Sequence, residues 1–282
     1  MTAPPRYIEI ETSRLCNRRC GWCPNGLFET RREQELMPWE LYQRVVREIG
    51  ELGFAGWLAL HNYNEPLLNS RLLREIAEAR EAIPRGVISI FTNGDYLSRQ
   101  MLDDLWSAGT GYLRVTLYPP NTAKSIESTT DAATRQSRLA RWLHAKGLDA
   151  LGAWSNREVR QGTAAVLKLD QLTVEVISPD LGTYNWRGGT APLVLGAIRS
   201  APCNMTCHSA SIDYRGRLKM CCNVFADADD HSPYVVGTLA TETFQQLWNN
   251  ERLSRWRELH SRADWTSSPI CQMCTHHPRE YE

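Results

Sequence analysis

The nine cysteines of this 282-residue chain sit at its two ends. Cys16, Cys20 and Cys23 form one group, six more lie from Cys203 to Cys274, and none lies between. Any fold must therefore gather thiols at two places. The front run, Cys16-Asn-Arg-Arg-Cys20-Gly-Trp22-Cys23-Pro24, has the spacing C-x3-C-x2-C. Thiolates this near in sequence can hold three corners of a cubane cluster, and a 4Fe–4S cluster normally takes four cysteines. The run stops at three, which leaves one iron for a ligand that is not protein. A zinc knuckle wants a fourth ligand that the run does not offer. A disulfide wants an oxidising compartment, of which the sequence gives no sign.

Composition narrows the setting. An apolar fraction of 42% is ample for a core, and a formal net charge of zero gives no general attraction to nucleic acid or anionic membrane. The start, Met-Thr-Ala-Pro-Pro-Arg-Tyr7, has no apolar signal segment, and no apolar run is long enough to cross a bilayer. The expectation is a cytoplasmic protein with reduced, metal-ligating thiols and no nucleic-acid or membrane partner.

The first half alternates strand and helix. Strands are expected at Tyr7 to Glu11, Gly56 to His61, Gly86 to Thr92 and Gly111 to Leu117, and helices from Pro38 to Leu52, Leu72 to Ala82 and Arg99 to Ala108. Ser98 is placed to cap the last of these. Such alternation predicts an α/β fold with a parallel sheet, whose chemistry gathers at the carboxyl ends of strands. The stretch from about 121 to 190 is polar and gives little pattern, and Asp180 to Pro192 reads as a connection. Beyond it, Ser209 to Tyr214 and Arg217 to Met220 read as two strands around a turn at Arg215-Gly216. Leu239 to His260 reads as helix.

The cysteine run resembles the signature of radical S-adenosylmethionine (SAM) enzymes. In that family SAM chelates the open iron, and its reductive cleavage yields a 5'-deoxyadenosyl radical that takes a hydrogen atom from substrate. The resemblance implies a partial (β/α) barrel core over 1–195. Asn64-Glu65-Pro66 follows the second strand where the family binds SAM's amino group; Glu65 capping the next helix is the plainer reading. Thr92-Asn93-Gly94 stands where the family approaches SAM's ribose or sulfonium, and is also an ordinary turn. Trp22 is expected near the adenine, through its backbone.

Residues 196–282 resemble the family's twitch or SPASM-type extension, an auxiliary iron–sulfur domain. Carried over, the ligands of a second 4Fe–4S cluster are Cys203, Cys221, Cys271 and Cys274, with a four-cysteine zinc site as the alternative. Cys207 competes with Cys203 by spacing. Cys222 follows a ligand directly, so in extended chain it points away from its neighbour and can face a substrate cavity.

The runs Tyr63 to Leu68 and Thr92 to Asp95, with the short auxiliary domain, resemble the family's aminoglycoside-pathway group, which holds an epimerase and an aminocyclitol dehydrogenase. Its substrates are small aminoglycosides or their aminocyclitol precursors, and an external one-electron reductant such as flavodoxin or ferredoxin is implied. The spare Cys222 favours an epimerase (isomerase), in which that thiol returns a hydrogen atom to the substrate radical and inverts the carbon. A dehydrogenase making a ketone is the runner-up, and a peptide maturase the third reading. To hold a polycationic substrate, the acidic run from Asp227 to Asp230 and Glu9 and Glu11 of the first strand are expected at the cavity.

Overall fold

The computed structural model describes residues 3–28, 35–119, 131–180, 187–191 and 198–275. One sheet of ten strands runs through both ends of the chain. The strands are β1 (Tyr7–Ile10), β2 (Trp57–Ala59), β3 (Val87–Thr92), β4 (Tyr112–Thr116), β5 (Ser155–Val159), β6 (Gly162–Leu169), β7 (Leu172–Pro179), β8 (Ser209–Ile212), β9 (Arg217–Lys219) and β10 (Val235–Thr238). Their spatial order is β10-β9-β8-β1-β2-β3-β4-β7-β6-β5. The six from β8 to β7 are mutually parallel, and each edge is finished by antiparallel strands. The sheet is open, as a partial barrel requires.

The parallel strands read as nearly unbroken buried runs because helices cover them. Every residue of β1 is buried. The helices are α1 (Pro24–Leu27), α2 (Trp39–Glu51), α3 (Leu72–Ala82), α4 (Arg99–Ser107), α5 (Ala132–Ala145), α6 (Met205–His208), α7 (Phe244–Trp248) and α8 (Glu251–Ser261). On α2 the buried residues are Tyr42, Val45, Val46 and Ile49, the spacing of one helical face. Ser98 caps α4, accepting from the Met101 amide at 3.1 Å. No helix of the described residues is long and apolar enough to cross a membrane.

Three differences from the sequence expectations have physical causes. The long helix expected from Leu239 to His260 is two, because Asn250 turns its side chain onto the Arg252 amide at 2.8 Å and starts α8 afresh. The stretch from 121 to 190, where described, holds α5 and the β5–β6–β7 meander. Asp170, at φ +31°, makes the tight β6–β7 turn. The C-terminal cysteine region also extends the core sheet. β8 lies parallel to β1 in the register Tyr7 to Ser209 through Ile10 to Ile212, and one apolar core runs from Ile8 to Trp256. The expected boundary at 195/196 and most of the Asp180 to Pro192 connection fall outside the described residues. Gly216, at φ +78°, makes the β8–β9 turn, where a Cβ would meet Leu41 at 2.8 Å.

Candidate active site

The cysteine loop leaves the carboxyl end of β1. The Cys23 amide donates to the Cys20 carbonyl at 3.1 Å, and the Gly26 amide to the Cys23 carbonyl at 2.9 Å. Gly26 lets α1 close on the loop, since a Cβ there would lie 2.5 Å from the Cys20 oxygen. Burial, with the neighbouring thiols adding to it, pushes Cys16 and Cys20 up to about 12. Three thiols gathered in this way resist becoming thiolates unless iron takes them, so the donor set fits a cluster. Among the described residues no three His, Cys, Asp or Glu side chains close on one point as they would around a single ion.

The ends of β2 and β3 face this loop. The buried Glu65 carboxylate accepts from the Thr92 hydroxyl at 2.6 Å, the Asn93 amide at 2.8 Å and the Leu67 amide at 3.0 Å. Burial pushes its carboxyl up against those three donors. It thus caps the turn Pro66–Leu68 and also faces the cavity. Asn64 holds Ser13 at 3.2 Å and accepts from the Asn62 amide. Asn93 donates to Asn17 at 2.8 Å, and Asn17 and Arg18 both grip Asp95. This clasp ties the cysteine loop to the Thr92-Asn93-Gly94 turn. Trp22 is buried, its ring centroid 6.0 Å from that of Tyr118.

The C-terminal cysteines form a second group. Cys203 lies on the chain entering α6, its amide held by the His260 carbonyl at 3.0 Å. Burial raises its thiol, and Cys274 and Cys207 are near enough to raise it further. Burial likewise pushes Cys271 up to about 12, with Cys274 and Cys203 adding to it. Cys221 is raised by burial, then by Cys222, Cys271 and Cys274. Cys203, Cys221, Cys271 and Cys274 are thus one neighbourhood. Cys207, on α6, neighbours Cys203 and Arg257 instead.

A cavity of about 500 Å³ opens beside the first group and reaches chain neighbours of the second. Its walls include Cys16, Cys20, Cys23, Trp22, Asn64, Glu65, Thr92 and Asn93, and also Cys222 and Thr275, chain neighbours of Cys221 and Cys274. Glu9 also faces it, beside His61, Tyr63, Arg114 and Arg187. Of those four only Tyr63 belongs to a run that the sequence singled out. Their side chains meet only through the sheet order and the turn Arg187–Gly189, in which Arg187 has φ +53°. The acidic expectation holds for Glu9 alone. Glu11 is buried beneath the site, accepting from the Tyr63 amide at 3.2 Å. Asp227 pairs with Arg217 at 2.6 Å and with Arg14 and Arg215 beyond it, while Asp229 is exposed. An anion so well matched by cations nearby has no need to face a ligand.

Residues 10–150 match the family model described as the radical SAM superfamily. The chain belongs to that superfamily. Residues 203–275 match SPASM, an iron-sulfur cluster-binding domain. The radical SAM enzyme therefore uses SAM and 4Fe–4S clusters, as the cysteine spacing leads one to expect. A curated relative, the S-adenosyl-L-methionine-dependent 2-deoxy-scyllo-inosamine dehydrogenase of Niallia circulans, is 26% identical over 271 residues, spanning 95% of this chain and 91% of its own. The crystal structure of BtrN in complex with AdoMet and 2-DOIA has the same fold, with TM-score 0.70 and 23% identity over 98% of this chain and 95% of that one. Native anSMEcpe with bound AdoMet is more distant, with TM-score 0.53 and 10% identity over 90% of this chain and 83% of that one.

These relatives correct the expectation of an epimerase. Cys222 does line the cavity, buried to 7% exposure. A relative matching nearly the whole radical SAM chain is nevertheless a dehydrogenase. An oxidation ends when substrate gives up a proton and an electron, so it needs no hydrogen atom from a thiol. The isomerase assignment, with Cys222 as donor, is set aside.

Proposed function

We propose that the chain is a radical SAM dehydrogenase that oxidises a ring hydroxyl of an aminocyclitol, of the 2-deoxy-scyllo-inosamine type, to a ketone. The observation that carries this is the likeness to the Niallia circulans dehydrogenase along 95% of the chain. The cavity running from one cysteine group to the shoulder of the other supports it, because the reaction uses both ends. We take 1–195 as the radical SAM core and 196–282 as the auxiliary-cluster domain. Cys16, Cys20 and Cys23 hold the cluster whose open iron takes SAM; Cys203, Cys221, Cys271 and Cys274 hold the second. SAM, when cleaved, supplies a radical that takes one hydrogen atom from the carbinol carbon.

The chain's own groups do the rest. Glu65 offers a carboxylate to SAM's ammonium, with Asn64 beside it. Thr92 and Asn93 hold that carboxylate from the next strand and border the ribose, and the Trp22 backbone borders the adenine. Glu9, a buried carboxylate in the cavity wall, suits a cationic group beside it. Electrons for SAM cleavage come from an external carrier such as flavodoxin or ferredoxin, in the cytoplasm. Anaerobic turnover of 2-deoxy-scyllo-inosamine tests the assignment. The expected product has lost two hydrogens, and recovery of unchanged inosamine alongside uncoupled SAM cleavage would refute this substrate class.

A further inference from the structure

The oxidation leaves one proton to be placed. The substrate's H–C–O–H unit first loses a hydrogen atom from carbon. The remaining carbon radical becomes a ketone once it gives up one electron, for which an auxiliary cluster held by Cys203, Cys221, Cys271 and Cys274 would be the acceptor, and the hydroxyl proton, which a base must take. The described cavity wall offers few bases. Its cysteines belong to, or adjoin, the cluster groups, its guanidinium groups stay charged, and Glu65 is engaged by three donors.

One imidazole lines that wall among the described residues, His61 just beyond β2. Its ring stacks on Phe91 of β3, with centroids 4.1 Å apart and planes within 17°. Its Nε2 lies 3.6 Å from Glu9 Oε1 and 3.3 Å from the Tyr7 hydroxyl, both on β1. The other Glu9 oxygen is fixed by Asn62 at 3.1 Å and Ser211 at 3.3 Å, so the carboxylate cannot turn away. We propose that His61 is the base that takes the substrate's hydroxyl proton, with Glu9 orienting the ring and holding the imidazolium. This rests on the dehydrogenase reading above.

A stacked ring in front of a fixed carboxylate is the base-and-orienter arrangement of acid–base sites. Charged and titratable groups lie around it on three strands and on the chain past β9. Tyr7 and Glu9 come from β1. Arg114 of β4 lies 5.9 Å over the Phe91 ring, and Lys219 of β9 donates to Asn62 at 2.8 Å. Cys222, past β9, shares the cavity. Glu9 is the anion among them, so its removal makes the ring harder to protonate.

The test compares wild type, His61→Gln and Glu9→Gln, each holding its full iron content, on inosamine carrying deuterium at the reacting carbon. His61→Gln should still label 5'-deoxyadenosine, because abstraction precedes proton loss, and deuterium should return to the recovered SAM. Ketone formed per 5'-deoxyadenosine should fall about a hundredfold or more. The acidic limb of the wild-type pH profile should vanish in His61→Gln and move to lower pH in Glu9→Gln. Wild-type ketone yield and pH profile in His61→Gln would overturn the His61 role alone, as would an unmoved limb in Glu9→Gln. Wild-type protein that makes no ketone would overturn the oxidation and this role together.

Discussion

Arg187 donates to the side-chain oxygen of Asn223 at 3.2 Å, and the same amide of Asn223 points its nitrogen at the Cys274 sulfur at 3.8 Å. A half-buried cation is thereby fixed one residue away from Cys274, a thiol proposed above to hold the second cluster. Positive charge near a cluster favours its reduced form. Arg187→Gln should lower the potential of the second cluster by roughly tens of millivolts. Potentiometric EPR checks this; an unchanged potential would mean that Arg187 serves packing or substrate rather than the cluster.

The turn that presents Arg187 depends on Gly188. At φ +66° it sits in the left-handed region, and a Cβ would lie 2.9 Å from the ring of His231, whose Nε2 bonds the Gly188 carbonyl at 3.0 Å. His231 is itself fixed, since its Nδ1 accepts from the Phe225 amide at 2.9 Å. Gly188→Ala should cost about 1–3 kcal/mol and lower the thermal midpoint, with weaker substrate binding because Arg187 moves. A midpoint within a degree of wild type would show that the turn relaxes freely.

Cys203 and Cys207 compete by spacing, and the structure separates them by neighbours. Cys203 lies near Cys274, Cys271 and Cys207, whereas Cys207 lies near Cys203 and Arg257. Reconstituted wild type should hold about eight irons. Cys203→Ala should hold about four, and Cys207→Ala about eight. Iron analysis giving the reverse pattern would exchange the two assignments.

Glu11 makes stability depend on pH. Burial, with Asp213 and Asp227 helping and Lys219 opposing, raises its carboxyl from 4.5 to about 7. The folded chain keeps that proton to about pH 7 and the unfolded chain only to 4.5. The native state thus binds more protons between those values, and stability falls as pH rises through them. The full penalty above pH 7 is about 3 kcal/mol. Glu11→Gln, which can still accept from Tyr63, should be more stable than wild type at pH 8 and equal to it near pH 4. Thermal unfolding at both values checks the difference.

Much of this was legible in the residues. The cysteine spacing announced the superfamily, and Glu65 and Thr92-Asn93 share one cavity wall with those cysteines because each lies within a few residues of a strand end. α3 falls at Leu72–Ala82 as its apolar spacing requires. His61, Arg114 and Arg187 stayed hidden because each reaches the cavity only through pairing between distant strands or through a left-handed turn. α5 was obscure since it buries only Leu139 and Leu143. Leu172-Thr-Val-Glu-Val-Ile, by contrast, alternates and follows a turn residue, a signal of β7 that was present. Asp227 misled because a charge run does not say which cations fold against it. Cys222 misled in another way. Its place in the cavity is what a hydrogen donor needs, but place alone does not choose between returning a hydrogen atom and releasing an electron.

The most direct test of the account follows one label. Inosamine deuterated at the carbinol carbon should deliver one deuterium to each 5'-deoxyadenosine, with one ketone formed per 5'-deoxyadenosine and no solvent hydrogen added to that carbon. A product of unchanged oxidation state, carrying solvent deuterium at the reacting carbon after turnover in D₂O, would contradict it.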